Sequence, residues 1–216
     1  MKKHLRFLIT AGPTREAIDP VRFISNRSSG KMGYTLAAAA RRVSPRVTLV
    51  SGPTCLKPPR GVKFIGVVTA TEMARAVFAQ FPKTDVVIMA AAVADFRPKY
   101  AATRKLKKER GMPRIVLTPT VDILRELGRR KKQQLLIGFA AETDSVEANA
   151  VKKLRAKRLD MIVANDVSRR GIGFGSDTNQ VTLHFSDAPP EKTARLPKSA
   201  IARLVIRRCL ERIKTP

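Results

Sequence analysis

Apolar residues along the chain fall into two alternating patterns. Mainly apolar runs without regular polar alternation, such as residues 5–11 and 85–91, are typical of strands that are buried on both faces. Stretches with strong helix propensity lie between such runs, such as the alanine-rich residues 31–42, which end in two arginines that suit a helix C-terminus. Strands that alternate with helices predict an α/β fold with a three-layer, doubly wound, mainly parallel and Rossmann-like sheet.

The same patterns set the other expected elements. We predict strands at residues 5–11, 46–51, 62–67, 85–91, 135–140, 161–164 and 180–185. We predict helices at residues 31–42, 71–81, 121–132, 147–157 and 198–214. Thr71 is expected to cap the second helix. No internal repeat or change in composition divides the chain, so residues 1–216 are expected to form a single domain.

The loop after the first strand is unusually long. It runs from Gly12 to the helix that begins near Lys31, about twenty residues where two to six are usual. It closes with the sequence SSGKMG at residues 28–33, whose small residues allow backbone N–H groups at a helix N-terminus to face an anion. Neither a Walker A loop nor a G-x-G-x-x-G fingerprint is present. The alternative is a helix start that binds no ligand.

Two later loops also follow apolar strands. In the first of them, Asp95 offers a carboxylate for a ribose hydroxyl or a metal ion, although an aspartate here can also be a turn residue. The downstream cluster at residues 105–108 can neutralise a triphosphate or form a solvated charged run. In the other loop, residues 164–177, the asparagine, aspartates and glycines are compatible with turn chemistry alone.

The charge and the cysteines narrow the function classes. The formal net charge of +26 attracts polyanions, but the basic residues are dispersed, and the chain has no Trp and two Tyr for stacking on bases. A dispersed basic surface suits small, multiply charged anions equally well, so charge alone does not settle the partner. Neither Cys55 nor Cys209 has a histidine or a second cysteine at the spacing of a metal site. Two cysteines cannot form a disulfide framework, which suggests a reducing cytoplasm. The chain contains no run of eighteen or more apolar residues, so no membrane-spanning helix is predicted.

Several sequence blocks in fixed order resemble bacterial phosphopantothenate–cysteine ligases. The blocks are TAGPTRE at 10–16, IDPVR at 18–22, ISNRSSGKMG at 24–33, AAAVADF at 90–96, KLKK at 105–108, GFAAET at 138–143, ANDV at 164–167 and GFGSD at 173–177. In most bacteria this domain follows a flavin-dependent decarboxylase domain. This chain resembles the stand-alone synthetase, so no flavin is expected.

The resemblance implies a ligase that joins 4′-phosphopantothenate to L-cysteine, with CTP as co-substrate, Mg²⁺, and an acyl-cytidylate intermediate. It assigns Asn26 to the acyl intermediate, with an amide that donates to the acyl oxygen, and Lys105 to the triphosphate. It implies the following nucleotide-binding positions: Gly12, Ser28, Gly30, Gly33, Met89, Ala90, Ala91, Asp95, Lys105, Phe139, Lys153, Lys157 and Asn165. It implies substrate-binding positions at Asn26, Ser29, Ala91, Ala92 and Asp95, shared across a homodimer interface that a strand extension forms. The metal ligands stay unassigned.

One block departs from the family pattern. The family commonly has an Asn-Pro-Asp or Thr-Pro-Asp turn before the helix at Ile123, whereas this chain has Thr120-Val121-Asp122 with the proline at 119. Asp122 and Thr120 are both expected to be able to cap the helix. Rival functions are a nicotinamide-dependent oxidoreductase, which would lack the glycine fingerprint, and a nucleic-acid binder, which rests on charge alone. The sequence does not decide between CTP and ATP.

Overall fold

The computed structural model describes residues 4–107, 114–166 and 175–214. The helices are α1 (Lys31–Val43), α2 (Ala70–Gln80), α3 (Ile123–Arg130), α4 (Val146–Ala156) and α5 (Lys198–Lys214). The strands are β1 (Arg6–Ala11), β2 (Arg15–Ala17), β3 (Phe23–Ser25), β4 (Arg46–Ser51), β5 (Lys63–Gly66), β6 (Val86–Met89), β7 (Phe96–Pro98), β8 (Leu117–Pro119), β9 (Leu135–Glu142), β10 (Met161–Asp166), β11 (Thr178–Asn179), β12 (Thr182–Phe185), β13 (Glu191–Lys192) and β14 (Leu196–Pro197). Of the sequence blocks, Lys108, Val167, Gly173 and Phe174 lie outside the described residues.

Within the described residues, eight strands form one sheet in the order β13-β12-β10-β9-β6-β1-β4-β5. The strands from β10 to β5 pair in parallel, whereas β12 and β13 are antiparallel. If the parallel strands are numbered along the chain, their order is 3-2-1-4-5-6, that of a doubly wound fold. The predicted fold class is confirmed, and the point where the strand order reverses lies between β1 and β6.

Helices cover both faces of the sheet. On one face α1 and α5 pack over β1, where Leu36 and Ile201 are buried with Ile9. On the other face lie α2, α3 and α4, and Met73 is buried there with Leu8. The neighbours Leu8 and Ile9 are both fully buried because they point to opposite, covered faces. In the described ranges, no helix has the length and apolarity needed to cross a membrane.

Short strands in the loops differ from the prediction. The long first loop contains the antiparallel hairpin of β2 and β3. A second antiparallel ribbon pairs β7 with β8, and a third pairs β11 with β14. Strands of two or three residues are too short to show a hydrophobic period, so the sequence pattern could not predict them. The hairpin shortens the irregular part of the first loop and holds its end in one place.

The predicted cap of α2 is wrong. The hydroxyl of Thr69, not that of Thr71, accepts the N–H of Glu72 (3.1 Å). The carboxylate of Glu72 in turn accepts the N–H of Val68 (2.7 Å). This reciprocal arrangement starts the helix at Ala70 and leaves Thr71 inside the first turn.

Candidate active site

The loops that follow β1 and β6 are joined directly beyond the sheet. The N–H of Ala92 donates to the carbonyl of Gly12 (2.9 Å), and the N–H of Thr14 donates back to the carbonyl of Ala92 (3.2 Å). The hydroxyl of Thr14 also accepts the N–H of Ala94 (3.0 Å). Because the alanines have minimal side chains, space remains in front of these loops, at the strand-order reversal where doubly wound folds bind ligands.

Asn26 fastens the β2–β3 hairpin to these loops. Its amide nitrogen Nδ2 donates to the carbonyls of Ala92 (3.0 Å) and Val93 (3.3 Å). The hydroxyl of Ser25 donates to the carbonyl of Thr14 (2.7 Å). The expectation that the amide nitrogen donates to an acyl oxygen does not match this arrangement, because Nδ2 is already engaged with two backbone carbonyls. The side-chain oxygen Oδ1 is left as the atom that can meet a ligand, and it is an acceptor.

The start of α1 forms an uncapped helix N-terminus at the same place. Gly30 is its N-cap residue, adopts φ 79°, and makes no side-chain cap hydrogen bond. Only glycine takes this left-handed conformation without strain. A Cβ at Gly33 would lie 2.5 Å from the Cβ of Ala11, so Gly33 allows α1 to approach β1 closely. Gly12 lies behind Gly30, since a Cβ at Gly30 would be 3.3 Å from the Cα of Gly12.

A cleft of about 340 Å³, here called the first cleft, opens in front of this helix start. Most of the site residues expected from the sequence line it, although they come from five separate segments. They are Asn26, Ser28, Ser29, Gly30, Gly33, Ala90, Ala91, Ala92, Asp95, Phe139, Lys153 and Asn165. The structure therefore brings together residues that are up to 139 positions apart (26 to 165) in the chain.

A second cleft, of about 220 Å³, adjoins the first. It contains the expected residues Met89 and Lys157, together with residues 120–124 at the start of α3. The two clefts share a wall made of Ala91, Val93, Asp95, Phe139 and Lys153. The arrangement offers two neighbouring compartments whose ligands can meet at the shared wall.

Carboxylates hold both lysines of the second cleft. Lys153 Nζ contacts Glu142 Oε1 at 2.5 Å, and Lys157 Nζ contacts Asp122 Oδ1 at 3.0 Å. Burial opposes ionisation of Asp122, but the N–H of Arg125 and the ammonium of Lys157 outweigh it and lower its pKa. The ion pairs fix the positions of both ammonium groups, and both lysines line the second cleft.

Helix α3 is capped at its N-terminus although residues 120–122 depart from the family pattern. Asp122 caps α3 by accepting the N–H of Arg125 (3.0 Å). Thr120 was also expected to be able to cap α3, but it does not. Its hydroxyl donates instead to the carbonyl of Ala94 (2.5 Å). Thr120 instead ties the α3 start to the loop that carries Asp95, whose carbonyl accepts the N–H of Thr120 (2.9 Å).

Lys105 is exposed and lines neither of the two clefts. Its segment is anchored through Asp19, whose carboxylate accepts the N–H of Leu106 (3.2 Å). Arg22 bonds the same carboxylate and donates to the carbonyl of Leu106 (2.9 Å). The Arg22 guanidinium, helped by backbone N–H groups, holds the pKa of Asp19 well below its usual range. A contact of Lys105 with the triphosphate therefore stays a prediction.

The first cleft also contains residues that the sequence did not single out as site residues. Lys31, Asn179 and Lys198 line it, and Asn179 and Lys198 are 6% and 7% exposed. Asn179 and Lys198 lie outside the family blocks, so no motif marked them. One sequence feature could have marked Lys198: it is the first residue of a helix, where a cation is electrostatically unfavourable.

A larger cavity, here called the edge cavity, lies away from the strand ends. It measures about 670 Å³ and is bounded by α4, by β12 and by the residues after β12, with Arg155, His184 and Phe185 among its walls. His184 is 5% exposed, and its Nε2 has no hydrogen-bond partner among the described residues. Burial lowers the pKa of His184, although Glu147 raises it.

In the described part of the chain, no group of three or more His, Cys, Asp or Glu side chains could hold a metal ion. Cys55 is exposed and Cys209 is buried, and both are free thiols. Burial raises the pKa of the Cys209 thiol to about 12, so this thiol is not reactive at neutral pH.

The fold defines a doubly wound α/β protein with two adjoining clefts where its strand order reverses, the place where such folds bind ligands. The chain belongs to the family of the DNA/pantothenate metabolism flavoprotein C-terminal domain, whose model matches residues 2–213. The resemblance stated from the sequence blocks is thereby confirmed.

Two known proteins are similar to this chain over most of its length. The chain is 56% identical over 186 residues to the coenzyme A biosynthesis bifunctional protein CoaBC of Bacillus subtilis, covering 86% of this chain and 45% of that protein. It is 47% identical over 207 residues to a cysteine/cysteine sulfinic acid decarboxylase of an unknown prokaryotic organism, covering 95% of this chain and 58% of that protein. The chain thus spans about half the length of these relatives.

A solved structure matches nearly the whole chain. It is the C-terminal domain of a coenzyme A biosynthesis bifunctional protein CoaBC, with a TM-score of 0.84 and 46% identity, covering 98% of this chain and 97% of that domain. The match extends the similarity from the sequence blocks to the complete fold.

Proposed function

We propose that this chain is a ligase that joins 4′-phosphopantothenate to L-cysteine in coenzyme A biosynthesis, with CTP as co-substrate. The observation that carries the proposal is the pair of adjoining clefts, which share one wall at the strand-order reversal. Ligands held in two adjoining clefts have their reacting groups close to each other, which makes the step between them effectively unimolecular. The similarity to bifunctional coenzyme A biosynthesis proteins supports the same activity.

The reaction needs an activated carboxylate, because an oxide is a poor leaving group. In the first step a carboxylate oxygen of phosphopantothenate attacks the α-phosphorus of CTP, and the bond to pyrophosphate breaks. In the second step the amine of cysteine attacks the acyl carbon, CMP leaves with the bonding electrons, and the amine loses a proton. Both steps depend mainly on positioning and on neutralisation of charge.

The residues of the clefts supply these two needs. The uncapped N-terminus of α1 presents backbone N–H groups to an anion. Lys153 and Lys157 present ammonium groups towards the second cleft, and each can exchange its carboxylate for a phosphate. Asn26 lies where the hairpin meets the strand-end loop, and its Oδ1 can accept an N–H of the attacking amine.

Magnesium fits as a companion of the nucleotide. Mg²⁺ is commonly bound by one or two carboxylates together with substrate phosphates rather than by an all-protein cage. The described residues contain no such cage. Asp95, in the wall common to both clefts, is the carboxylate placed to share a metal ion with the triphosphate. The ion would supply charge neutralisation to the phosphates.

We infer a homodimer from the surface of the two ribbons. Large apolar side chains are exposed on β2–β3 and β7–β8 and beside them: Val21 60%, Phe23 47%, Phe96 53%, Tyr100 76%, Val116 59% and Leu117 48%. Grouped apolar side chains on exposed ribbons are typical of an interface. A dimer through them would also give Lys105, which lines neither cleft of its own chain, a place at the partner's cleft.

Two free thiols and the biosynthetic role of the relatives support a cytoplasmic location. A decarboxylase is the alternative that the name of one relative suggests. That relative is longer than this chain, and the described residues offer the clefts of a two-substrate reaction. Release of carbon dioxide from cysteine in the absence of CTP would favour the decarboxylase.

The proposal is tested by following pyrophosphate release from CTP with and without 4′-phosphopantothenate. We expect release only when 4′-phosphopantothenate is present, and phosphopantothenoylcysteine only when cysteine is added as well. CTP turnover that is indifferent to phosphopantothenate would contradict the ligase. Repeating the assay with ATP decides the nucleotide, and sedimentation of the active protein decides the homodimer.

A further inference from the structure

One buried residue in the wall of the first cleft has a hydrogen-bonding atom without a partner. Asn179 is the last residue of β11, and it lines the cleft although it is only 6% exposed. Its side-chain oxygen Oδ1 accepts the backbone N–H of Gln180 (2.9 Å). Because the partner is a donor, this bond identifies the oxygen of the amide, and the nitrogen Nδ2 is the atom that is left over.

The nitrogen Nδ2 of Asn179 carries two N–H donors, and neither donates to any described residue. Within the described ranges, the enclosed polar side-chain atoms without a hydrogen-bond partner are His184 Nε2 and Arg212 Nε. Nδ2 of Asn179 is not one of them, so this nitrogen is unpartnered without being enclosed in the core. Because Asn179 lines the first cleft, its two donors are open to a ligand there.

The surrounding backbone fixes the position of this amide. Strand β11 pairs with β14, where Asn179 lies opposite Leu196. The N–H of Lys198, the first residue of α5, donates to the carbonyl of Asp177 (2.9 Å) and so ties the same ribbon to a long helix. The bond of Oδ1 to Gln180 then sets the direction of the amide. Donors that are held in place before a ligand arrives lose little entropy on binding.

The same cleft contains a second set of open donors. The N-terminus of α1 begins at Gly30 and makes no side-chain cap hydrogen bond. Its backbone N–H groups and partial positive charge favour an anion. Donors from α1 and β11, two segments far apart in the chain, thus line one space. A phosphate group has several acceptor oxygens and no donors when fully ionised, so it can meet both sets at once.

We propose that Asn179 donates its side-chain N–H groups to a phosphate oxygen of a ligand in the first cleft. The inference rests on the proposed function, because CTP and 4′-phosphopantothenate each carry phosphate. It adds a ligand-binding residue that lies outside the sequence blocks, two positions after the block at 173–177. It also gives a role to a buried amide whose donors are otherwise unused.

The test compares the wild-type protein with Asn179→Asp, which has nearly the same side-chain shape. The carboxylate can still accept the N–H of Gln180, so the variant keeps the structural hydrogen bond while it loses both donors and gains a negative charge. Calorimetry measures the Kd of CTP and of cytidine, and the Kd of 4′-phosphopantothenate and of pantothenate.

We expect the Kd of one phosphorylated ligand to rise about 100-fold in Asn179→Asp, because repulsion between two anions replaces a charge-assisted hydrogen bond. The Kd of its unphosphorylated counterpart is expected to stay unchanged. Asn179→Ala removes the donors without adding charge, and we expect it to raise the same Kd about tenfold. The ligand that is affected identifies the source of the phosphate.

A control variant makes the same chemical change elsewhere. Gln134 precedes the amino end of β9, at the end of the sheet opposite the clefts, and its Oε1 accepts the N–H of Lys132 (2.8 Å). Gln134→Glu therefore also keeps an accepted hydrogen bond while an amide becomes a carboxylate, and it is expected to change no Kd. Thermal unfolding shows whether each variant is folded, and Asn179→Ala gives the decision if Asn179→Asp does not fold.

Unchanged affinity of the folded variants for both phosphorylated ligands would overturn the proposal. An equal loss for a phosphorylated ligand and its unphosphorylated counterpart would also overturn it, since the acceptor would not be a phosphate. A wild-type protein that binds neither CTP nor 4′-phosphopantothenate refutes the proposed function, and the role of Asn179 with it. That failure is visible before any variant is made, so the two failures are distinguishable.

Discussion

The first cleft and the edge cavity differ more in chemistry than in shape. The edge cavity is about twice as large, about 670 Å³ against 340 Å³, but it lies beside α4 and the antiparallel strand β12. The first cleft lies where loops from parallel strands, an open helix N-terminus and three lysines converge. Convergence of polar groups at the carboxyl ends of strands, rather than volume, therefore indicates the ligand site.

Asn26→Asp is expected to have the largest effect on the first cleft. A carboxylate cannot donate to the carbonyls of Ala92 and Val93, and it places negative charge against their oxygens. We expect product formation to fall about 100- to 1000-fold while the acyl-cytidylate still forms. Single-turnover assays that follow pyrophosphate and final product separately measure this. Normal product formation would remove Asn26 from the reaction.

Lys105→Gln tests whether the site of one chain is completed by another. If Lys105 reaches the triphosphate in a dimer, its loss should slow pyrophosphate release about 10- to 100-fold. The exposed Lys83, which follows α2, provides the control variant Lys83→Gln, with no change expected. Unchanged pyrophosphate release in Lys105→Gln would show that this lysine does not act in the first step.

Helix α4 allows a matched test of both regions with two neighbouring cations. Lys153 lines both clefts, and Arg155 lines the edge cavity. We expect Lys153→Gln to raise the KM for CTP about tenfold, because a charged contact to phosphate is lost. Arg155→Gln is expected to leave kcat and KM unchanged. If Arg155→Gln were the more damaging variant, the edge cavity would be the better candidate site.

Gly33→Ala tests how tightly α1 must pack behind the first cleft. The added Cβ would lie 2.5 Å from the Cβ of Ala11 and 2.7 Å from the carbonyl oxygen of Thr10. We expect a loss of about 1–3 kcal/mol in the free energy of unfolding, measured in urea. Gly66→Ala is the control, because its Cβ would first meet the side chain of Phe64 at 3.3 Å. An equal loss in both variants would argue against close packing at Gly33.

His184→Phe should give the smallest effect and concerns the edge cavity. Because burial lowers the pKa of His184 in the folded protein, protonation favours the unfolded state, and stability falls as the pH drops below the ordinary value of about 6.5. We expect this loss between pH 7 and pH 5, followed by urea unfolding, to be smaller in His184→Phe, with kcat/KM unchanged. A steeper pH dependence in the variant would contradict the prediction.

The sequence predicted the frame of the molecule better than its loops. The central parallel strands and the five helices were all expected, because continuous apolar runs and helical stretches carry a readable period. The ribbons β2–β3 and β7–β8 were missed because each strand has three residues. Thr71 was expected as a cap in place of Thr69, because both are threonines before a helical pattern and only the hydrogen bond to Glu72 separates them.

In the candidate site, the sequence blocks supplied the residue types and the tertiary structure supplied their partners. Lys198 carries no motif, and its place beside Lys31 follows only from the packing of α5 against α1. The amide nitrogen of Asn26 was expected to donate to a ligand, but it donates instead to the backbone carbonyls of Ala92 and Val93, which belong to a distant loop.

By itself the sequence determined which segments are buried strands and which are helices, since local period and burial are linked along the chain. Only the tertiary structure decided that residues as distant as Asn26, Phe139 and Lys198 share one cleft. The physical reason is that strand order is set by contacts between remote segments, and no local pattern encodes which loops become neighbours at the sheet edge.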